Sequence, residues 1–131
     1  MLTLHRVRAA YRQIGLRPAS DTYLDRTRGV SCPTMAVCLA EGRLQRRQVT
    51  TKNAYRRVLA ALDEPAPYVN AFIGSINRWH TRDWVGWTKA YEHPLPRTAD
   101  AALRLMWRGW RDGERIGRAL LGPLPRRSRR R

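Results

Sequence analysis

Residues 98–122 read TADAALRLMWRGWRDGERIGRALLG, and the reading of this stretch decides the fold class. Thr98 is an N-cap residue type, Asp100 sits where the first turn of a helix is positively polarised, and Gly122-Pro123 stops the run after Leu121. The pattern predicts one long amphipathic C-terminal helix of about 23 residues. At 100° per residue, Arg104, Arg108, Arg111, Arg115 and Arg118 fall within an arc of about 80°. Ala102, Met106, Trp110, Gly113, Gly117 and Leu120 fall on the opposite side. A charged helix face is ordinary, but such faces usually mix signs to gain i,i+4 pairs, and here Asp112 and Glu114 flank the ridge and only partly compensate it. Each like-charged i,i+4 neighbour costs a few tenths of a kcal/mol, and a bound polyanion would remove that cost.

Two further regularities lie in the same helix. Gly109, Gly113 and Gly117 are spaced four apart, and each weakens the helix by roughly 1 kcal/mol relative to alanine, so close approach of another helix is expected there. Packing inside the chain is favoured over packing on a second copy. Trp84-Val85-Gly86-Trp87 and Trp107-Arg108-Gly109-Trp110 repeat the pattern W-x-G-W. Trp84, Trp87 and Trp110 are expected at helix crossings. Trp107, beside the arginine ridge, has the alternative of stacking on unpaired bases while arginines hold phosphates.

Upstream, Leu4, Val7, Tyr11 and Ile14 step at helical spacing and Gly15 follows, which predicts a helix over 4–14. Residues 16–31 mix Pro, Ser, Asp, Thr and Gly without periodicity, and an irregular connection is expected, with Thr22 to Leu24 able to pair briefly as extended chain. Cys32 before Pro33 reads as an N-cap ahead of proline at the first helical position, with a short helix from Pro33 to Glu41 closed by Gly42. Thr50 or Thr51 can cap a helix carrying Tyr55, Val58, Leu59 and Leu62, whose outer face holds Lys52, Arg56 and Arg57. After Pro65-Ala66-Pro67, Val69, Phe72, Ile73 and Ile76 define another helix, and Asp83 can start a short one holding Trp84, Trp87 and Tyr91. The expected fold is all-α: one domain of five or six helices over 1–122, followed by a disordered arginine-rich tail over 123–131. That tail, PLPRRSRRR, holds Arg126, Arg127, Arg129, Arg130 and Arg131.

Charge narrows the partners. Lys plus Arg number 26 against 10 acids in 131 residues, a formal charge of +16, and all the basic residues except Lys52 and Lys89 are arginine. A GC-rich genome writes arginine freely, so the preference over lysine is a weak signal, whereas the scarcity and placement of acids is a stronger one. A polyanion is the expected partner, RNA or DNA before an acidic protein, with a homodimer through the Gly/Trp face as the alternative. No stretch approaches the roughly 18 to 20 apolar residues of a membrane span, and MLTLHRVRAA lacks the apolar core of a secretory signal. Residues 1–20 carry Arg6, Arg8, Arg12 and Arg17 without an acid, which fits a basic first helix and, as the alternative, an organellar transit segment. Cys32 and Cys38 lie six apart on one helix and point to different faces, which favours free thiols in a reducing, cytoplasmic setting.

No catalytic motif accompanies these features. His5, His80 and His93 stand in no metal-ligand spacing, and Cys32 to Cys38 matches no zinc-binding pair, so neither metal nor cofactor is expected. Cys32 at a helix N-terminus near arginines could be an activated thiol, although a buried capping cysteine is the more ordinary role. Nothing in the spacing of Cys32, His80 and Asp83 supports a site, and Asp63-Glu64 sits where helix-end roles are common. A non-enzyme is expected. Ile14-Gly15-Leu16-Arg17-Pro18 and Gly29-Val30-Ser31-Cys32-Pro33-Thr34 resemble stretches of short uncharacterised proteins of GC-rich bacteria. That resemblance implies a bacterial setting and no activity.

Overall fold

A computed structural model describes residues 1–80 and 99–125. Among them are five α-helices: α1 (Leu4–Ile14), α2 (Pro33–Ala40), α3 (Ala54–Ala61), α4 (Ala66–Asn77) and α5 (Ala99–Leu121). A 3-10 turn at Arg46–Gln48 precedes α3. Three two-residue strands, β1 (Arg17–Pro18), β2 (Leu24–Asp25) and β3 (Val30–Ser31), form a small sheet in the order β1-β3-β2. The fold is therefore mostly helical and not all-α, which corrects the expectation from sequence. Two-residue strands are too short to show alternation, so periodicity could not reveal them. The expected helix at Asp83, with Trp84, Trp87 and Tyr91, and the expected tail from Arg126 onward lie outside the described residues.

Local chemistry sets the first elements. Thr3 caps α1, its side chain accepting from the Arg6 backbone N–H at 3.1 Å, while Gly15 closes it at φ 68°. Leu2 and Val7 occupy the flanking and fourth positions of a hydrophobic staple, and both are buried in the core. Gly29, also at φ 68°, turns the chain into β3 so that Arg17 pairs with Val30 in parallel and Leu24 with Ser31 antiparallel. The Tyr11 hydroxyl donates to the Ser31 carbonyl at 2.7 Å and fastens α1 to the sheet.

Cys32 stands at the N-cap position of α2, with Pro33 in the first turn. Pro33 through Cys38 are all buried, so this short helix runs through the core and is enclosed on every side. The caps of α3 are arranged differently from expectation. Asn53 takes the N-cap position, and Thr50 holds the preceding turn, where Thr50 N–H donates to Asn53 Oδ1 at 2.8 Å and Asn53 N–H to Thr50 Oγ1 at 3.2 Å.

Among the described residues the most extensive contact joins α4 to α5. A Cβ placed on Gly109 would overlap the Tyr68 carbonyl oxygen; one on Gly113 would stand 2.8 Å from the Phe72 carbonyl oxygen; and one on Gly117 would stand 2.6 Å from the Trp79 ring. The partners rise in sequence together, so α4 and α5 run in the same direction, backbone close to backbone. Ser75 Oγ donates to the Trp110 carbonyl at 2.9 Å, and Trp79 Nε1 donates to the Gly122 carbonyl at 3.0 Å. Tyr68, Phe72 and Ile116 are fully buried along this seam, and burial of each such side chain stabilises by about 1.5–3 kcal/mol.

Candidate nucleic-acid interface

Fixing one side of α5 against α4 fixes what the other side presents. Arg104, Arg108, Arg111, Arg115 and Arg118 are all exposed along α5. Arg115 reaches Asp112 at 3.2 Å and Arg118 reaches Glu114 at 3.3 Å, within the helix. Arg104, Arg108 and Arg111 have no acidic partner among the described residues. Three of the five ridge arginines thus stand without an ion pair among the described residues.

Asp100 stands at the start of α5, in its first turn; Glu41, Asp63, Asp21 and Asp25 are held by other arginines. Arg6 donates to Glu41 at 2.6 Å through both Nε and a terminal nitrogen, and to Asp63 at 2.8 Å, with Arg43 joining both carboxylates. The Arg6 bond holds Glu41 and Asp63 below the usual carboxylate range, and the same bonds raise the Arg6 guanidinium further. Arg28 pairs with Asp21 at 2.9 Å and lies 3.8 Å from Asp25. Asp63-Glu64 thus belongs to a charge cluster that ties α1 to the end of α3, a role their sequence neighbours do not reveal.

Trp107 stands among the unpaired arginines, 66% exposed, with Arg104 one turn before it and Arg111 one turn after. Most tryptophans in folded chains are well covered. Leu103, 41% exposed, extends the apolar strip by one turn. A groove of about 940 Å³ runs between this face and Met1–Thr3. The segment at its far wall is held by the Tyr68 hydroxyl, which accepts from the Leu2 backbone N–H at 3.0 Å and donates to Asp112. Burial, followed by the bond to Asp112, pushes the Tyr68 phenol well above its ordinary range. Sequence reading missed the groove because its two walls lie a chain length apart. The signal that existed was Leu2, an apolar residue directly before a helix cap.

Trp110, expected at a helix crossing, is half-buried under Arg78, whose guanidinium carbon lies 4.1 Å from the ring centroid. Arg78 also lies 3.5 Å from Glu114 and donates to Ser75 Oγ at 2.9 Å. Gly109, Gly113 and Gly117 are buried against α4 and Trp79. Trp84, Trp87, Arg126, Arg127, Arg129, Arg130 and Arg131 lie outside the described residues. The second basic surface named in the sequence, Lys52, Arg56 and Arg57, is exposed on and just before α3.

Cys32 and His80 come to one cleft of about 230 Å³, together with Asp21, Tyr23, Thr34 and Ile76, whereas Asp83 is outside the described residues. Burial raises the Cys32 thiol pKa, and the Thr34 hydroxyl and the backbone N–H groups at the start of α2 oppose this without overcoming it. The lowered pKa weighed for Cys32 is therefore corrected: loss of hydration outweighs the helix N-terminus. Burial likewise pushes Cys38 up to about 12. A protonated thiol is a poor nucleophile and a poor metal ligand. Among the described residues no group of three His, Cys, Asp or Glu side chains could hold a metal ion, and no helix is long and apolar enough to cross a membrane. No protein-family model, curated protein or solved structure matches this chain.

Proposed function

We propose that this chain is a small cationic helical accessory protein that binds nucleic acid through phosphate contacts, without sequence preference, in the cytoplasm of a bacterium. The observation that carries this reading is the exposed row Arg104, Arg108 and Arg111 on α5, which has no acidic partner among the described residues. Arginine forks match phosphate oxygens, and a row of them along one helix tracks a polyanion backbone. No base-reading motif can be assigned in the sequence, and charge is the source of affinity in this reading.

The glycine row bears on the alternative of self-association through the Gly/Trp face. Because α4 already fills the space beside Gly109 and Gly113, a second copy would have to displace it. The test is binding of random-sequence RNA and DNA over a salt series. If the ridge and the tail arginines each neutralise about five phosphates, the slope of log affinity against log salt is on the order of minus 7 to minus 9. A slope near zero, or no binding at low salt, overturns the reading.

A further inference from the structure

We infer that the α5 groove selects single-stranded nucleic acid over duplex, with Trp107 stacking on an unpaired base while Arg104, Arg108 and Arg111 hold the flanking phosphates. This inference rests on the proposed nucleic-acid reading and adds the strand state to it. Phosphate contacts alone do not distinguish a strand from a duplex, because both present the same oxygens. The ring does distinguish them. Trp107 projects from the same face as the arginines, with two thirds of its surface exposed, and Arg104 and Arg111 flank it one turn away on either side.

A duplex buries its base faces by stacking, so a protruding indole meets a free face there only by unstacking a step. A single strand offers a face at every base, and the stack tolerates any sequence. The groove has the matching layout. One side is the α5 face, where the arginines outnumber Asp112 and Glu114 around Trp107, and the other is Met1–Thr3, tied down by Tyr68. The exposed Leu103 continues the apolar strip from Trp107, which leaves a base adjoining the stacked one an apolar surface to lie on. RNA and DNA strands share the two features used, a base π-face and a backbone phosphate, so both are expected to bind.

The experiment uses the full chain with labelled oligo(U), oligo(dT) and a DNA duplex of equal length at one low and one moderate salt concentration. Binding is measured for the natural chain, Trp107→Ala, Trp107→Phe and the double charge reversal Arg104→Glu with Arg108→Glu. Circular dichroism checks that each variant is folded, which an exposed position favours. Single strands should bind about tenfold tighter than duplex. Trp107→Ala should bring the ratio near one, Trp107→Phe should keep most of it, and the charge reversal should weaken all three ligands. An unchanged ratio in Trp107→Ala, or equal affinity for strand and duplex in the natural chain, overturns the strand inference while leaving the nucleic-acid reading intact. Failure of every ligand to bind at low salt overturns the nucleic-acid reading itself.

Discussion

Gly109 lies so close to Tyr68 that a Cβ there would overlap the Tyr68 carbonyl oxygen and stand 2.9 Å from its carbonyl carbon. The obstacle is backbone, which cannot rotate aside as a side chain can. Gly109→Ala gains roughly 1 kcal/mol of helix propensity, yet the forced separation of α4 and α5 costs about 1–3 kcal/mol or more. Net destabilisation is expected, read as a lower urea midpoint. Gly117 meets the Trp79 ring instead, so Gly117→Ala should lose less. The reverse ranking would mean that this seam is not a backbone contact.

The helix that carries the ridge was legible because its 23 residues are long enough for the period to show and its ends are punctuated. α1 was legible for the same reason, from Leu4 through the Gly15 stop. The sheet was not, since each strand is two residues and its pairing depends on the Gly29 turn bringing Val30 back beside Arg17. The ridge and the scarcity of acids beside it could be read from angular spacing, but which arginines are left without an ion pair could not. That depends on Glu41, Asp63 and Asp21 being drawn to Arg6, Arg43 and Arg28, contacts that span many residues. The exposure of Trp107 was equally hidden, because a tryptophan at helical spacing reads as core or as platform until its neighbours are placed.

Tyr68→Phe removes the hydroxyl that joins the Leu2 backbone N–H to Asp112. The Leu2 N–H then loses its partner in a buried position, which costs about 1–3 kcal/mol. The variant should stay folded and lose that much stability in urea unfolding, while protection of the Leu2 amide from hydrogen exchange falls. Unchanged protection would show that the hydroxyl is not what holds Met1–Thr3 at the groove.

Acid should weaken the chain through the Arg6 cluster. Glu41 and Asp63 have lowered pKa values in the fold, first because of their bonds to Arg6. The stability they contribute is present above their unfolded values, near about 4, and is lost as pH falls through the lowered folded values. Arg6→Met should therefore destabilise the chain at neutral pH, with the difference from the natural chain shrinking once the carboxylates are protonated. Asp63 is 45% exposed, so added salt should reduce its share. A difference that is the same at neutral and acid pH would contradict this assignment.

Both thiols are expected to be slow. With Cys32 raised by burial and Cys38 pushed up to about 12, little thiolate forms near neutral pH, and both residues are buried. Alkylation of the native chain should proceed only as fast as it opens, and should accelerate with urea in step with unfolding. Rapid modification of Cys32 in the native chain would show that the cleft beside His80 holds an activated thiol.

The central claim, that the uncompensated part of the α5 ridge binds nucleic-acid phosphates, is tested most directly by the salt slope of two triple variants. Arg104→Ala, Arg108→Ala and Arg111→Ala together should make the slope of log affinity against log salt shallower by about 2 to 3, because each lost phosphate contact removes about 0.7 to 0.9 from it. Lys52→Ala, Arg56→Ala and Arg57→Ala remove the same charge from another face and should change the slope by much less. Equal changes in the two variants, or no change in the first, would contradict the account.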